Sequence, residues 1–380
     1  MLRVLHIGKF YPPAAGGMER VVRSLCTSAG GRLDSRVLAY NSRSSTFAET
    51  VEGVPVTRVG TWGKAGSVPV SPGLISHLRR IDADLVVLHE PNPWALLSYA
   101  VAAPRMPLAI WYHSDVVRPR LQYQLFYAPL ARRVYGRAAS FIVSSPALAT
   151  HADALRPYLD RTHVIPFGIE ERAPGDRELL LRAEGIRRRL QGLIILFAGR
   201  LVAYKGVDVL INAIADLPVT VVIVGDGPMR ASWTALAARK AGPGRIVFTG
   251  EIPDDELKAY FEACDMFVLP SVTRAEAFGF VQLEAMTHGK PVISTGLPSG
   301  VPWVNRDGVT GIVVPPGSVA ALRAAIQQLA SDAPLRQRLG AGGQRRVRDE
   351  FSIRQMADRF VRMCHDVATP RTPARSEISG

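Results

Sequence analysis

Two glutamates in the second half of the chain, Glu276 and Glu284, enclose seven residues that include a Phe-Gly pair. On one continuous helix, eight steps of about 100° would leave the two acids about 80° apart, so they would share a face poorly. If a helix instead begins near Gly279, Glu276 lies on the loop before it and Glu284 points inward from its second turn. Both acids can then reach one ligand at the helix N-terminus, where free N–H groups attract phosphate. A sugar nucleotide, an anionic diphosphate with a polyhydroxylated group at each end, fits this arrangement.

Two cations, Arg200 and Lys205, lie about 70 residues before this element, on the loop that follows the apolar run LIILFAG. Residues at the carboxyl end of a parallel strand face the ligand side of an α/β sheet. Two positive charges there would neutralise a diphosphate leaving group. Such residues are more often solvated surface, but their combination with the two glutamates favours the diphosphate role.

Gly16 and Gly17, in the segment YPPAAGGMER, follow the first apolar run and precede a helix-length segment. Glycines at such a turn let backbone N–H groups approach a phosphate without a Cβ clash. A lone Gly-Gly pair without a GxGxxG pattern is usually only a turn, so this prediction depends on the other motifs.

His113 ends the apolar run LAIWYH and is followed by Ser114 and Asp115. A lone histidine at a strand end is more often structural. Asp115 is either an orienting partner for His113 or an acceptor ligand. The other histidines lack metal-ligand spacing and no Asp-x-Asp element lies in a plausible loop, so we expect no catalytic metal, with Arg200 and Lys205 in its place.

Short apolar runs alternate with helix-length segments along the chain, which predicts the elements that position these residues. The runs are LRVLHI, DLVVLH, LAIWYH and SFIVSS, then LIILFAG, VTVVIVG, RIVFTG, MFVLP and PVIST. Near-continuous apolar runs are typical of parallel strands covered by helices on both faces. The pattern occurs twice, on either side of a polar segment, and predicts two Rossmann-like doubly wound α/β domains that join at Pro166–Ile169.

The E-x7-E element, GRLVAYKG and YPPAAGGMER together resemble the retaining GT-B glycosyltransferases of family 4, the group 1 glycosyl transferases. The resemblance covers residues 1–365, and GVPWVNRDGVTGIVVPPG is similar to bacterial polysaccharide and O-antigen mannosyltransferases. It implies two domains that face each other across a cleft: residues 1–168 bind the acceptor and residues 169–350 bind the nucleotide sugar. A last helix, at residues 351–367, would pack back on the first domain. Residues 368–380 lack apolar periodicity and should be disordered.

The resemblance also implies roles for individual residues. Glu276 would accept hydrogen bonds from the donor sugar, beside backbone N–H groups of Phe278, Gly279 and Phe280. His113 would be the active-site histidine, in contact with the transferred sugar or with the charge that develops at the anomeric carbon. Glu284 would hold the ribose hydroxyls, as an acidic residue does in dinucleotide folds.

Composition limits the remaining choices. The chain has 380 residues, 47% hydrophobic and 21% charged, with three widely spaced cysteines that form no CxxC pair, which predicts a soluble protein of a reducing cytoplasm. The formal net charge is +13; residues 1–168 carry 19 Lys/Arg against 10 Asp/Glu and so hold +9 of it. This excess fits either an ordinary basic surface or attraction to anionic lipid. Nucleic-acid binding is disfavoured because no interleaved aromatic and basic motif is present.

The segment VVRPRLQYQLFYAPLARRVYGRA, residues 116–138, mixes five arginines with four aromatic residues. It is either an amphipathic helix at a membrane interface or, slightly favoured, an ordinary helix with aromatics in the core; Pro119 and Pro129 would break or kink it.

The sequence thus predicts a metal-independent, retaining hexosyltransferase of cell-surface polysaccharide synthesis. It would move mannose from GDP-mannose to a glycan or polyprenyl-linked glycan, in the cytoplasm or at the inner face of the cell membrane. Alternatives are a transferase of glucose or N-acetylglucosamine from a UDP-sugar, a GT-B nucleotide-sugar epimerase, and, outside enzymes, a glycan-binding scaffold of the same fold.

Overall fold

The computed structural model describes residues 1–13, 16–65, 68–115, 125, 127–172, 175–190, 192–240 and 245–369. The chain forms two compact units. The first comprises Met1–Ser144, Ala152–Gly168 and the chain from Ile353 onward, and the second comprises Ser145–His151 and Ile169–Ser352. The tail beyond residue 369, for which we expect disorder, lies outside the described residues.

The first unit is built on an eight-stranded sheet in which every pairing but one is parallel. Its strands, with a separate two-stranded hairpin β5–β6, are β1 (Leu2–Ile7), β2 (Leu33–Tyr40), β3 (Phe47–Val51), β4 (Val54–Val59), β5 (Gly63–Ala65), β6 (Val68–Val70), β7 (Leu85–Glu90), β8 (Leu108–Tyr112), β9 (Ser140–Val143) and β10 (Thr162–Val164). Their order in the sheet is β10-β9-β8-β7-β1-β2-β4-β3. The sequence prediction lacks the antiparallel edge strand β3 and the hairpin, and also β2, β4, β10 and β16. Each of these strands is short or is interrupted by polar residues.

The helices of the first unit flank this sheet. They are α1 (Gly17–Ser28), α2 (Gly73–Arg79), α3 (Pro93–Ala102), α4 (Ala128–Arg137) and the last helix, α14 (Ile353–Ala368), with a 3₁₀ helix at Arg156–Arg161. Helix α14 buries Met356, Phe360 and Cys364 at helical spacing. It packs against α1, and Arg32, just beyond α1, forms an ion pair with Asp358.

The second unit is a six-stranded parallel sheet in the order β13-β12-β11-β14-β15-β16. Its strands are β11 (Leu193–Ala198), β12 (Val219–Val224), β13 (Arg245–Gly250), β14 (Met266–Leu269), β15 (Val292–Thr295) and β16 (Gly311–Val314). Its helices are α5 (Pro146–His151), α6 (Arg177–Leu190), α7 (Val207–Ala213), α8 (Arg230–Arg239), α9 (Asp254–Ala263), α10 (Val281–Thr287), α11 (Val301–Val304), α12 (Val319–Ser331) and α13 (Ala333–Glu350), with a 3₁₀ helix at Ala203–Lys205.

Continuous burial of the central strands explains this architecture. All six residues of β7 and all six of β12 are buried, as expected of parallel strands covered on both faces. No helix in the described part of the chain has the length and apolarity needed to cross a membrane.

Candidate active site

The loop that carries Lys205 has a conformation that requires glycine at position 206. The buried strand β11 ends at Ala198, and after a short 3₁₀ helix the chain turns at Gly206 with a φ of +65°. A Cβ on Gly206 would lie 2.2 Å from the carbonyl oxygen of Pro270. Because this close approach joins the β11 loop to the β14 loop, it brings Lys205 toward the glutamate that follows β14.

Lys205 and Glu276 form a buried ion pair. The Lys205 ammonium donates to Glu276 Oε2 at 2.6 Å, and both side chains are only 10% exposed. The Ser271 hydroxyl donates to the same oxygen at 3.0 Å. Burial disfavours the charged ammonium, but Glu276 and Tyr204 outweigh it, so the pKa of Lys205 is raised and the lysine is cationic at neutral pH. Ser271, which is fully buried, is a site residue that the sequence pattern did not reveal.

Arg200 lies on the same loop but is exposed, so its guanidinium is open to an anion. The backbone beside it is held by the segment Gly225–Asp226–Gly227 after β12. Leu201 N–H donates to the Asp226 carbonyl at 2.8 Å, and a Cβ on Gly227 would lie 2.4 Å from the Leu201 carbonyl oxygen. Sequence reasoning overlooked this Gly-Asp-Gly turn, although two glycines directly after an apolar strand indicate close backbone packing.

The E-x7-E element folds as a loop followed by a short helix. Glu276 lies on the loop and α10 begins at Val281, two residues beyond the expected start. Glu284 therefore lies in the first turn of α10, not the second as predicted, and it is half-buried. Gly279 has a φ of +71°, and a Cβ there would lie 2.8 Å from Leu269. This requirement for glycine delays the helix start.

The two phenylalanines of the element differ in their surroundings. The Phe278 side chain is buried, with its ring centroid 6.4 Å from that of Trp303 and 6.2 Å from that of Phe351. Phe280 is the N-cap residue of α10. The Phe278 side chain thus belongs to the core of the second unit, and only its backbone remains a candidate for ligand contact.

Gly16 and Gly17 are exposed at the start of α1 in the first unit, with Gly16 as its N-cap. A Cβ on Gly17 would meet no described atom within 4 Å, and one on Gly16 would meet only the flexible Glu19 side chain closer than 3.0 Å. Neither residue has a φ in the left-handed region. The described part of the fold therefore does not itself require glycine at position 17.

This geometry gives a direct test of the Gly17 assignment. Because alanine is favoured over glycine in a helix by about 1 kcal/mol, we expect Gly17→Ala to keep or raise the melting temperature. If the backbone at this turn approaches the donor phosphates, the same change should lower kcat/KM by on the order of tenfold. Unchanged kcat/KM with unchanged stability would leave Gly17 as a turn residue only.

His113 directly follows β8 and is one of three buried histidines in the first unit. Its Nε2 lies 2.9 Å from Nδ1 of His89, whose Nε2 lies 3.1 Å from Nδ1 of His6. His6 and His89 are fully buried and His113 is 8% exposed. Asp115, considered as a partner for His113, accepts a hydrogen bond from the Tyr112 hydroxyl at 2.8 Å. Sequence reasoning missed His6 and His89 because they lie inside apolar runs.

Burial keeps all three imidazoles neutral. Loss of hydration lowers the pKa of His6 and of His113 to about 3 each, and lowers that of His89 well below its usual value, with His113 and His6 contributing. The neighbouring Glu90 has the opposite shift: burial raises its pKa to about 7, although Tyr127 and the Asn92 N–H donate to its carboxylate.

These shifts predict acid-sensitive stability. Each histidine has a folded pKa below its unfolded value of about 6.5. Its contribution to the free energy of unfolding is therefore complete above that pH and is lost as the pH falls toward the folded pKa. Glu90 contributes below its unfolded pKa and loses that contribution as the pH rises through about 7. Between the unfolded pKa of glutamate and that of histidine, the unfolded state binds up to about two more protons than the folded state. This difference gives the free energy of unfolding a slope of about 2.7 kcal/mol per pH unit.

Urea unfolding at pH 5 and pH 7 checks this expectation. The free energy of unfolding should be lower at pH 5, and His6→Phe should reduce the slope by about 1.4 kcal/mol per pH unit. Equal slopes for the wild type and His6→Phe would contradict it.

Among the described residues, no group of three or more His, Cys, Asp or Glu side chains is arranged to hold a metal ion.

The predicted site residues form two sets, one in each unit. Lys205 and Glu276 are in contact in the second unit, with Arg200 on the Lys205 loop and Glu284 on α10; Gly16, Gly17 and His113 lie in the first unit.

Comparison with known proteins decides the family. Residues 16–168 match the family described as Glycosyl transferase 4-like domain, and residues 184–346 match Glycosyl transferases group 1. O-antigen chain mannosyltransferase C of Escherichia coli is 30% identical over 367 residues, which cover 95% of this chain and 98% of that protein. The chain belongs to the group 1 glycosyltransferases. This result confirms the resemblance inferred from the motifs.

Further comparisons extend this assignment. D-rhamnosyltransferase WbpZ of Pseudomonas aeruginosa is 32% identical over 92% of both chains. Anabaena HepE, solved in complex with UDP and glucose, superposes with a TM-score of 0.74 at 22% identity, covering 96% of this chain and all of that one. The protein thus has the α/β GT-B fold and is a glycosyltransferase, as predicted. These findings support an enzyme, and not the glycan-binding scaffold considered as an alternative.

Proposed function

We propose that this glycosyltransferase is a retaining, metal-independent mannosyltransferase that uses GDP-mannose and extends a glycan or polyprenyl-linked glycan of the cell surface. The observation that supports mannose most is the near full-length similarity to an O-antigen chain mannosyltransferase. A nucleotide-sugar donor is further supported by the fold shared with HepE, which was solved with UDP and glucose.

The Lys205–Glu276 pair suggests how one site serves both halves of the donor. An ammonium has three N–H donors, and Glu276 takes one of them, so two remain for diphosphate oxygens. Within the described part of the chain, both side-chain hydrogen bonds to the Glu276 carboxylate fall on Oε2, which leaves Oε1 for hydroxyls of the transferred sugar. The pair would thus connect recognition of the sugar with stabilisation of the leaving group.

Arg200 would supply the second positive charge. Its exposed position suits a guanidinium that contacts diphosphate oxygens when the donor binds. Since two protein cations can offset the leaving-group charge, a divalent metal is not required in this proposal. Retention would follow from attack on the face that the diphosphate leaves.

Donor choice is the experiment that tests the proposal. The purified protein is incubated with GDP-mannose, GDP-D-rhamnose, UDP-glucose or UDP-N-acetylglucosamine and a polyprenyl-linked glycan, with and without EDTA. We expect glycan extension and GDP release with GDP-mannose, unchanged by EDTA, and an α-linked product by NMR. Turnover only with a UDP-sugar, loss of activity in EDTA, or a β-linked product would each contradict the corresponding part of the proposal.

A D-rhamnosyltransferase is the second candidate, because WbpZ is related over nearly the whole chain. D-Rhamnose is 6-deoxymannose, so the two donors differ at one hydroxyl group. A site that hydrogen-bonds this hydroxyl would reject the deoxy sugar strongly, whereas an apolar pocket would discriminate weakly. The ratio of kcat/KM for the two GDP-sugars therefore decides between the candidates.

We also propose that the reaction with the acceptor takes place at an anionic membrane, which the protein contacts peripherally. Helix α4 exposes Arg132, Arg133 and Arg137, but it buries Tyr135, and Tyr127 just before it is buried too. These two tyrosines are therefore core residues, in line with the slightly favoured interpretation of this segment, and not contacts for lipid headgroups. Residues 116–124 and 126, which complete the predicted segment, lie outside the described residues.

Vesicle sedimentation at increasing salt measures this contact. Each basic residue near an anionic surface contributes about 1 kcal/mol, so we expect binding to anionic vesicles that weakens as salt screens the charges. Replacing Arg132, Arg133 and Arg137 with glutamine should reduce binding on the order of tenfold or more. Equal partitioning to neutral and anionic vesicles, or none to either, would indicate an ordinary basic surface.

A further inference from the structure

The three buried histidines form a continuous hydrogen-bonded ribbon across neighbouring strands of the first unit. His6 lies on β1, His89 on β7 and His113 directly after β8, and these strands are adjacent in the sheet. Ring centroids are 5.4 Å apart for His6 and His89 and 5.2 Å apart for His89 and His113, with interplanar angles of 26° and 22°. Neighbouring strands are about 4.8 Å apart, so nearly coplanar rings meet edge to edge through their nitrogen atoms.

Such a ribbon of neutral rings has only two consistent proton arrangements. A neutral imidazole carries one N–H and one bare nitrogen, and each N···N contact needs one of each. Either every ring is protonated on Nδ1, or every ring is protonated on Nε2. The tautomer of His113 is therefore coupled to that of His6, which lies two strands away.

The buried end of the ribbon favours one arrangement. His6 Nε2 is buried and has no hydrogen-bond partner among the described residues. In the Nδ1–H arrangement this atom is an unmatched acceptor, and in the Nε2–H arrangement it is an unmatched donor. Among backbone groups, buried N–H donors without a partner are rarer than under-satisfied carbonyl acceptors. Applying the same ranking to the imidazole nitrogens, we assign the lower cost to the first arrangement.

We propose that His6 and His89 are positioning residues that hold His113 in the tautomer with its proton on Nδ1. His89 Nδ1–H then donates to His113 Nε2, and the Nδ1–H of His113 is the group left to donate a hydrogen bond. His113 acts in this state as a neutral donor toward an oxygen of the substrate, and not as a base. The surrounding rings of Trp111 and Phe167, with centroids 5.6 Å from that of His113, restrict its rotation.

Long-range ¹H–¹⁵N NMR of the histidine-labelled protein, without substrate, tests the tautomer directly. The His113 signals are assigned from their loss in His113→Gln. We expect a protonated Nδ1 and a bare Nε2 for His6, His89 and His113 in the wild type. A proton on Nε2 of His113 would overturn the proposal, and His113→Gln is the only variant that this measurement needs.

Two variants test the coupling. His89→Phe keeps a flat ring but cannot donate to His113, so His113 should shift toward the Nε2–H tautomer that free imidazole side chains favour. His6→Phe leaves the His89–His113 contact, so it should release the tautomers of His89 and His113 together, because that contact still couples them. An unchanged His113 tautomer in folded His89→Phe would show that the ribbon does not fix it.

Kinetics supply the second readout, which rests on the proposed transferase function. His89→Phe should lower kcat/KM about tenfold, equivalent to about 1.4 kcal/mol, with the affinity for free nucleotide unchanged. The control is Phe141→Leu, which removes a buried ring on β9 and should lower stability but not kcat/KM. Equal kinetic losses in both variants would reduce the role of His89 to stability. Failure to find a donor would contradict the proposed function but would leave the tautomer result intact.

Discussion

Replacing Arg200 or Lys205 with alanine should lower kcat/KM by at least about 100-fold, the cost typical of losing a donor that stabilises developing charge. In the proposed reaction the diphosphate gains negative charge as the glycosidic bond breaks. Both cations lie on the loop after β11, one exposed and one paired with Glu276. Arg188→Ala, an exposed arginine on α6, is the matched control and should leave turnover unchanged.

Stability should separate the two variants. Arg200 is exposed, so Arg200→Ala should change the free energy of unfolding by less than about 0.5 kcal/mol. Lys205→Ala leaves the Glu276 carboxylate buried without its cation, which costs about 3–5 kcal/mol when a buried pair is broken. The double variant Lys205→Met/Glu276→Gln removes both charges and should regain most of that stability without regaining activity.

Urea unfolding and steady-state kinetics on the same preparations check both expectations. Near-wild-type turnover in the double variant Arg200→Ala/Lys205→Ala would contradict the diphosphate assignment. Equal destabilisation in Lys205→Met and in Lys205→Met/Glu276→Gln would show that the unpaired Glu276 carboxylate does not cause the loss of stability.

The doubly wound fold was predictable because the central strands of both sheets are nearly continuous apolar runs. LRVLHI, LAIWYH and VTVVIVG each contain a buried parallel strand, and the repeated alternation with helices indicates the doubly wound topology. The hairpin β5–β6 escaped prediction because strands of three residues leave no measurable alternation. The helix after Glu276 starts later than expected because Gly279 adopts a positive φ.

The candidate site was predictable as residue types but not as contacts. Arg200, Lys205 and Glu276 were identified from their positions after strands, yet nothing in the sequence indicated that Lys205 and Glu276 bind each other. That contact depends on the close approach of Gly206 to Pro270, two loops about 60 residues apart in sequence. The histidine ribbon was equally hidden, because strand order decides which histidines become neighbours.

The two glutamates should separate nucleotide binding from sugar transfer. Glu284, half-buried in the first turn of α10, is the proposed ribose ligand. Hydrogen bonds to a charged group contribute about 1.5–3 kcal/mol, so Glu284→Gln should weaken GDP binding about 10- to 100-fold. Glu276 is proposed to bind the sugar, which free GDP lacks, so Glu276→Gln should leave GDP affinity intact and lower kcat by at least about 100-fold.

The ion pair sharpens this prediction further. Glutamine at position 276 keeps the size of the side chain and an oxygen that can accept from Lys205, but it removes the negative charge now 2.6 Å from the ammonium. Lys205 is then attracted more strongly to a diphosphate, so GDP should bind Glu276→Gln at least as tightly as the wild type. Isothermal titration calorimetry of GDP with both variants measures the difference. Weaker GDP binding in Glu276→Gln together with unchanged binding in Glu284→Gln would mean that the two glutamates have the opposite roles.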